Sequence, residues 1–375
     1  MNEKEIAEIK RRFNPQRSNI TRIRGCCVST EKVILSEFDQ TLSFLTEDES
    51  EKILAILKKT LSGNLQRTLV DIEFSTQQVL EAPEHKALMD IRSSGLADDE
   101  AVKSLFDRII ETVEMDTNYV IILANDKYDV PSHGVDGEKS GESNEVFNYF
   151  VCAICPIKTS KSQLGFYISG NPFRSVAADT VVCAPELGFM FPTFDDRTAN
   201  IYKTMLYTKN TEADNSVFVE KLFGASAPIP AELQKETFGN ILEQTADEEC
   251  NLHLVKTLHN HIAEMIEEHK ENKVEEPLML DKKQIATVLG ASGITEEQIT
   301  AFEEKFESEF GEQKEISPRN LLDTKSFKVK TADVVIKVNP KRTDLIKTRI
   351  IDGEKYILIS AEEDVEVNGV NISIT

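Results

Sequence analysis

Apolar residues recur along this chain at two periods, and the switch between them marks out its elements. Ile6, Ile9 and Phe13 share one side of a helix over 2–13, which Asn14-Pro15 stops. Ile20 to Val28 reads as a strand, with Arg22 and Arg24 on one face at the period of two. Thr46 and Glu49 form a capping box, in which hydroxyl and carboxylate each satisfy an orphan backbone donor. The helix they open carries Ile53, Leu54, Ile56, Leu57 and Leu61, and Gly63 is placed to close it in a left-handed cap. Thr68 to Phe74 predicts a strand, 84–94 and 98–114 two helices, and Asn118 to Ala124 a buried strand. The polar stretch Asn125 to Asn144, rich in Asp, Gly and Ser, predicts a long surface loop. Strand character returns over 146–157, 165–169, 176–183 and 200–208.

Residues 212–310 read as helical almost throughout. A second capping box, Thr295 and Gln298, is flanked by Ile294 and Ile299 at the positions of a hydrophobic staple. After Ser326 the pattern changes to alternation, in Val334, Ile336, Val338 and again in Val370, Ile372, Ile374. Asp352-Gly353 and Asn368-Gly369 tolerate the positive φ of a two-residue hairpin turn. The expectation is an α+β protein in three parts. Residues 1–210 form a mixed α/β domain with a central sheet, 211–320 an acidic helical module, and 321–375 a small antiparallel β-domain.

Composition changes this picture little: 375 residues, 40% hydrophobic and 29% charged, suit a globular protein. Charge changes it more. Lys+Arg 43 against Asp+Glu 65 gives −22, of which residues 211–320 hold −14. Such a molecule repels nucleic acid and anionic lipid, so a nucleic-acid partner is disfavoured. The apolar runs are of buried-strand length, as in Val120 to Ala124, so no membrane span is expected. The first ten residues carry Glu3, Glu5 and Glu8 and no apolar core, unlike a signal peptide. With six sparse cysteines, free thiols in the cytoplasm are the expectation. Between Glu8 and Glu31 lie six basic residues and no acid. Within this run Arg22 and Arg24, and further on Arg197, are the candidate anion-binding residues. The alternative is a basic edge docked on acids of the same molecule.

The candidate chemistry is then weighed by geometry. Cys152 and Cys155 sit three apart in a predicted strand, where they project to opposite faces and cannot share one ion. His253, His259, His261 and His269 lie on one helix without an i,i+4 pair, so they do not form the usual helical metal site. The helical pair over 281–310 resembles a helix-turn-helix, but Glu296, Glu297, Glu303, Glu304, Glu307 and Glu309 would repel phosphates. Phosphate-loop, dinucleotide-loop and calcium-loop patterns are absent. No cofactor or metal is expected.

The carboxylates are the remaining enzymatic possibility. Asp126 and Asp129 follow a buried strand, and Asp195 and Asp196 follow the apolar run Phe189 to Phe194. Were the two pairs to converge, they could hold a divalent cation or activate water, as in a metal-assisted hydrolase. The preferred reading is a non-catalytic interaction or regulatory protein, acting on a protein partner or on a second copy through strand edges in 326–375.

The segments MNEKEIAEIKRRF, ITRIRGCCV, KKTLSGNL, ANDKYDVP, FVCAICPIK, ELGFMFPTFDDRT, VNPKRTDLIKTRIIDGEKYILI and VEVNGVNI together give the chain its likeness. It resembles a bacterial family known as domain of unknown function 4317 over essentially its whole length. The resemblance implies membership, and it brings no substrate, cofactor or catalytic residue with it.

Overall fold

The computed structural model describes residues 1–133, 139–159, 163–166, 173–176, 180–272, 278–311, 315–321, 326–361 and 365–373. It has a mixed α/β architecture with a central multistranded sheet, several helices and smaller C-terminal antiparallel β elements. Two compact units divide it, Met1–Pro230 and Ala231–Thr375.

The first unit runs α1 (Glu3–Lys10), β1 (Arg22–Val28), β2 (Ile34–Thr41), α2 (Glu47–Lys59) and β3 (Leu69–Glu73). Then come α3 (Thr76–Glu81), α4 (Pro83–Ser94), α5 (Asp99–Thr112), β4 (Tyr119–His133) and β5 (Lys139–Thr159). The strands β6 (Gln163–Phe166), β7 (Phe173–Val176), β8 (Thr180–Val182) and β9 (Leu187–Phe191) follow. The unit closes with β10 (Thr193–Asp195), β11 (Thr198–Asn200), β12 (Lys203–Thr208) and α6 (Ser216–Phe223). The main sheet has the order β2-β1-β4-β5-β9-β12-β3, with β8 paired to β5, and every one of these pairings is antiparallel.

Helices cover both faces of this sheet, so its central strands are buried on both sides. On one face Ile121, Leu123, Phe150, Cys152, Ile154 and Phe189 pack with Leu88, Ile109 and Phe223 of α4, α5 and α6. On the other, Val120, Ile122, Tyr149, Val151, Cys155 and Met190 pack with Ile9 of α1 and Leu54 and Leu57 of α2. That two-sided burial explains the near-continuous apolar runs of β4, β5 and β9. The capping boxes read from the sequence are present. Glu49 N–H donates to Thr46 Oγ1 at 3.3 Å while the Glu49 carboxylate accepts from Thr46 N–H at 2.9 Å. The corresponding distances at Thr295 and Gln298 are 3.3 and 3.0 Å.

Three expectations are corrected. The segment Asn125 to His133 is no loop: β4 continues through it, paired with β5, although 134–138 lie outside the described residues. Asp126, Tyr128 and Val130 turn inward while Lys127 and Asp129 are exposed, an alternation that the Asp-rich composition disguised. Gly63 is not a left-handed cap, since α2 ends on a right-handed Thr60. Its missing side chain instead makes room for Thr68 Oγ1. The apolar run that starts at Phe189, for which no strand is expected, belongs in part to β9, which is buried throughout and carries no alternation to read. The predicted strand at 165–169 falls partly, and that at 176–183 also partly, outside the described residues.

The second unit holds α7 (Ala231–Ala246), α8 (Leu252–Glu271), β13 (Leu280–Asp281), α9 (Lys282–Ala291), α10 (Glu296–Phe310), β14 (Glu315–Ile316) and α11 (Pro318–Leu321). Phe238, Phe302, Phe306 and Phe310 form its aromatic core, the first two with ring centroids 6.1 Å apart. Three ribbons follow: β15 (Phe327–Lys330) with β16 (Val335–Val338), β17 (Ile346–Ile351) with β18 (Glu354–Ile359), and β19 (Val365–Val367) with β20 (Val370–Ile372). Their turns are as expected, with φ of 52° and 86° at Asp352-Gly353 and 51° and 82° at Asn368-Gly369. No helix among the described residues is long and apolar enough to cross a membrane.

The closeness of β1 to its neighbours gives a direct test. A Cβ at Gly25 would run into the Ile121 carbonyl oxygen and the Phe38 ring. Gly25→Ala should therefore lower unfolding stability by at least about 2 kcal/mol in a urea titration, the scale of core overpacking.

Candidate functional site

The polar groups that carry the candidate chemistry gather along the N-terminal segment, Met1 to Asn19, where it meets side chains of β3, β4, β5 and β10. They do so as three separate networks. Asp126, 1% exposed, is the centre of the first. Its Oδ2 accepts from Arg12 Nε at 3.2 Å and from the Tyr149 hydroxyl at 3.0 Å, and its Oδ1 from the Asn19 N–H at 3.1 Å. Burial, together with the Asp126 charge, pushes the Tyr149 phenol well above its ordinary pKa, so it stays a donor. The Arg12 guanidinium also lies over the Tyr128 ring, 5.0 Å from its centroid.

Glu8 organises the second network. The Tyr128 hydroxyl donates to Glu8 Oε1 at 2.6 Å, and Arg197 Nη1 donates to Glu8 Oε2 at 2.8 Å. Arg197 Nη2 reaches the Pro131 carbonyl at 2.9 Å. Burial and the Glu8 bond raise the Tyr128 pKa to about 12.

The third network surrounds the Met1 ammonium, which is fully buried. Asp195 Oδ1 lies 2.5 Å from it and Asp71 Oδ2 3.7 Å. Asp195 Oδ2 accepts from Asn200 Nδ2 at 2.7 Å and from Thr193 Oγ1 at 3.0 Å. These two carboxylates titrate in opposite directions. Burial pulls Asp195 upward, but the ammonium and the two side-chain donors hold it below its ordinary value. Asp71 is raised, chiefly by burial, because the ammonium is farther from it and its Oδ1 is buried without a hydrogen bond.

The four candidate carboxylates are thus divided. Asp126 and Asp195 each lie in a network of their own, and Asp129 and Asp196 are exposed. Asp196 and Arg197, with φ of 51° and 60°, form the two-residue turn between β10 and β11. Among the described residues no group of three or more His, Cys, Asp or Glu is placed to hold a metal ion. The three candidate anion-binding arginines face carboxylates already. Arg22 Nε donates to Asp39 Oδ1 at 2.6 Å, Arg24 Nη1 to Asp99 Oδ1 at 2.7 Å, and Arg197 to Glu8. An anion would have to displace those partners. Lys10 lies close enough to Lys58 and Lys59 that their charges add to burial in lowering its pKa. All three sit in last helical turns, where exposed carbonyls favour cations and disfavour an anion.

The thiols follow the period of the backbone. Cys152 belongs to one face of the sheet and Cys155 to the other, both fully buried. Burial raises Cys26 and Cys155 to about 12 and Cys152 well above its ordinary value, which leaves them unreactive. Sequence reasoning missed Glu8, Tyr128 and the Met1 ammonium. The charges at helical spacing in the N-terminal segment, Glu5, Glu8 and Arg12, were the available signal.

The chain belongs to the family described as domain of unknown function (DUF4317), whose model matches residues 1–370. No curated protein matches it.

The opposed carboxylates and the buried thiols can each be tested. Asp195→Asn should cost about 1–3 kcal/mol of unfolding stability at neutral pH, because it leaves a buried ammonium poorly paired. A carboxylate held low stabilises the fold above its unfolded pKa and stops doing so once pH falls through its folded pKa. The cost of Asp195→Asn should therefore fade below the ordinary carboxylate range. Asp71, held high, acts the other way: its penalty is absent in acid and develops as pH rises through its folded pKa. Asp71→Asn should thus be neutral or stabilising at pH 7 in the same titration. For the thiols, Ellman's reagent on the native chain should quickly modify only Cys27, Cys183 and Cys250, which are partly exposed. All six should react in urea.

Proposed function

We propose that this DUF4317 protein is a non-catalytic cytoplasmic protein that works through protein–protein contacts, the first of them with a second copy of itself. The supporting observation is the set of C-terminal ribbons. Among the described residues each pairs only within itself, and a lone two-stranded ribbon cannot bury its own apolar face.

The register of β17 and β18 places Ile346, Ile350, Ile357 and Ile359 on one face, together with Thr348 and Lys355. Ile346 is buried, while Ile350 is 71% and Ile359 56% exposed. In β19–β20 the alternation is complete: Val365, Val367, Val370 and Ile372 share one face, Glu366 and Asn371 the other. Exposed apolar strips of this kind mark contact surfaces. A second copy offers the identical strip, and a two-fold axis lays each against its equal without needing another complementary surface.

A metal-assisted hydrolase has less support, since Asp126 and Asp195 have their oxygens engaged with Arg12, Tyr149, Asn19, Met1, Asn200 and Thr193.

Sedimentation velocity of the full chain over a range of concentrations tests the proposal. The native chain should associate, and Ile350→Glu with Ile359→Glu should abolish association with an unchanged circular dichroism spectrum. Because each copy carries −22, added salt should strengthen the contact by screening repulsion. A native chain that stays monomeric up to near-millimolar concentration, or a double variant that associates equally well, would refute it.

A further inference from the structure

The second unit contains a cleft of about 480 Å³ between α8 and the 3-10 segment Pro340–Leu345, which is kinked at Arg342. That volume lies in the range of small-molecule sites. Successive turns of α8 supply one wall, since residues three and four apart stack on the same helix face. Its lining divides by chemistry. Ala263, Ile266 and Pro340 give it an aliphatic side, and Glu264, Glu267 and Asp344 bring three carboxylates to it.

The carboxylates are not equally committed. Asp344 is paired with Arg342 Nε at 3.2 Å. Glu267 receives the Lys341 ammonium at 2.9 and 3.2 Å. Glu264 has no cationic partner among the described residues. The Lys341–Glu267 pair shows what the cleft accepts: Lys341 is itself an aliphatic chain ending in an ammonium, and its charge sits on a cleft carboxylate. Thr343, buried behind the rim, bonds Asn260 at 3.3 Å and ties the turn to the helix, so the two walls are held together.

We propose that this cleft binds a linear aliphatic polyamine. Its methylenes lie along Ala263, Ile266 and Pro340, one ammonium meets Glu264, and a second competes with Lys341 for Glu267. Arg342 is committed to Asp344 and Lys256 to the Ile346 carbonyl, which leaves Glu264 as the carboxylate of the cleft that is open to a cation. Lys341 is the one cation among its lining residues, and the acidic helices of the unit raise the local concentration of cations. An acidic or neutral ligand of the same size would gain nothing from Glu264 and would desolvate it.

The competition by Lys341 yields a test that general acidity does not imitate. Spermidine is titrated calorimetrically into the full chain at low ionic strength, with glutamate as the anionic control. Glu264→Gln should weaken spermidine binding roughly fivefold, the size of one exposed charge pair. Lys341→Met, which keeps the aliphatic stem and removes the competing ammonium, should strengthen it by a similar factor. Glu297→Gln, on the acidic helix α10 and outside the cleft, should leave it unchanged. No heat with spermidine, no response to Glu264→Gln, or an equal loss with Glu297→Gln would overturn the proposal. So would Lys341→Met weakening the binding. All three side chains are exposed, and thermal unfolding of each variant checks that the fold is intact.

Discussion

The covering of one antiparallel sheet by helices on both faces is the constraint on which the first unit depends. In the central stretches of β4 (119–124), β5 (149–155) and β9, each side chain enters one of two dry compartments, and successive residues enter opposite ones. This accounts for the strands' composition, because a position facing either compartment must be apolar. It also accounts for the fate of the reactive residues that ride on those strands. Cys152 and Cys155 are neighbours in sequence and strangers in space, each a small hydrophobe in its own core.

Where the strands emerge from under the helices, polar residues replace apolar ones, and the N-terminal segment is drawn across to meet them. Helix α1 is therefore held twice. Ile6 and Ile9 enter the core, and the charges of Met1, Glu8 and Arg12 close on Asp195, Arg197 and Asp126. Asp71 and Asp195 show how sharply position decides chemistry here. Both lie near one ammonium, yet the nearer carboxylate, ion-paired through Oδ1 and hydrogen-bonded through Oδ2, is held low, and the farther one is pushed high by burial. Asp126 and Asp195, two of the four candidate carboxylates, are fastenings of this strap.

The second unit is organised differently. Its helices enclose an aromatic core, and its acids remain on the outside, where they set the field around the α8 cleft. Its ribbons have closed turns and unclosed faces. Both functional proposals come from this unit, because it is here that apolar surface and uncommitted charge remain available to other molecules.

Local patterns were enough for much of this. Thr46 with Glu49 and Thr295 with Gln298 started helices, and Asp352-Gly353 and Asn368-Gly369 turned hairpins, since each motif satisfies or permits its own backbone within four residues. The opposite facing of Cys152 and Cys155 was equally readable, because a strand's period is a local property. What needed tertiary structure was everything set by partners distant in sequence. The extension of β4 through Asn125 to His133 depends on pairing with β5, and β9 is a strand because it lies between β5 and β12. Asp126 is bonded to residues more than a hundred positions away, and Glu8 to Arg197 nearly two hundred away. A sequence states which charges exist, but folding chooses their neighbours, and the neighbours determine whether a carboxylate fastens the chain or remains free to bind.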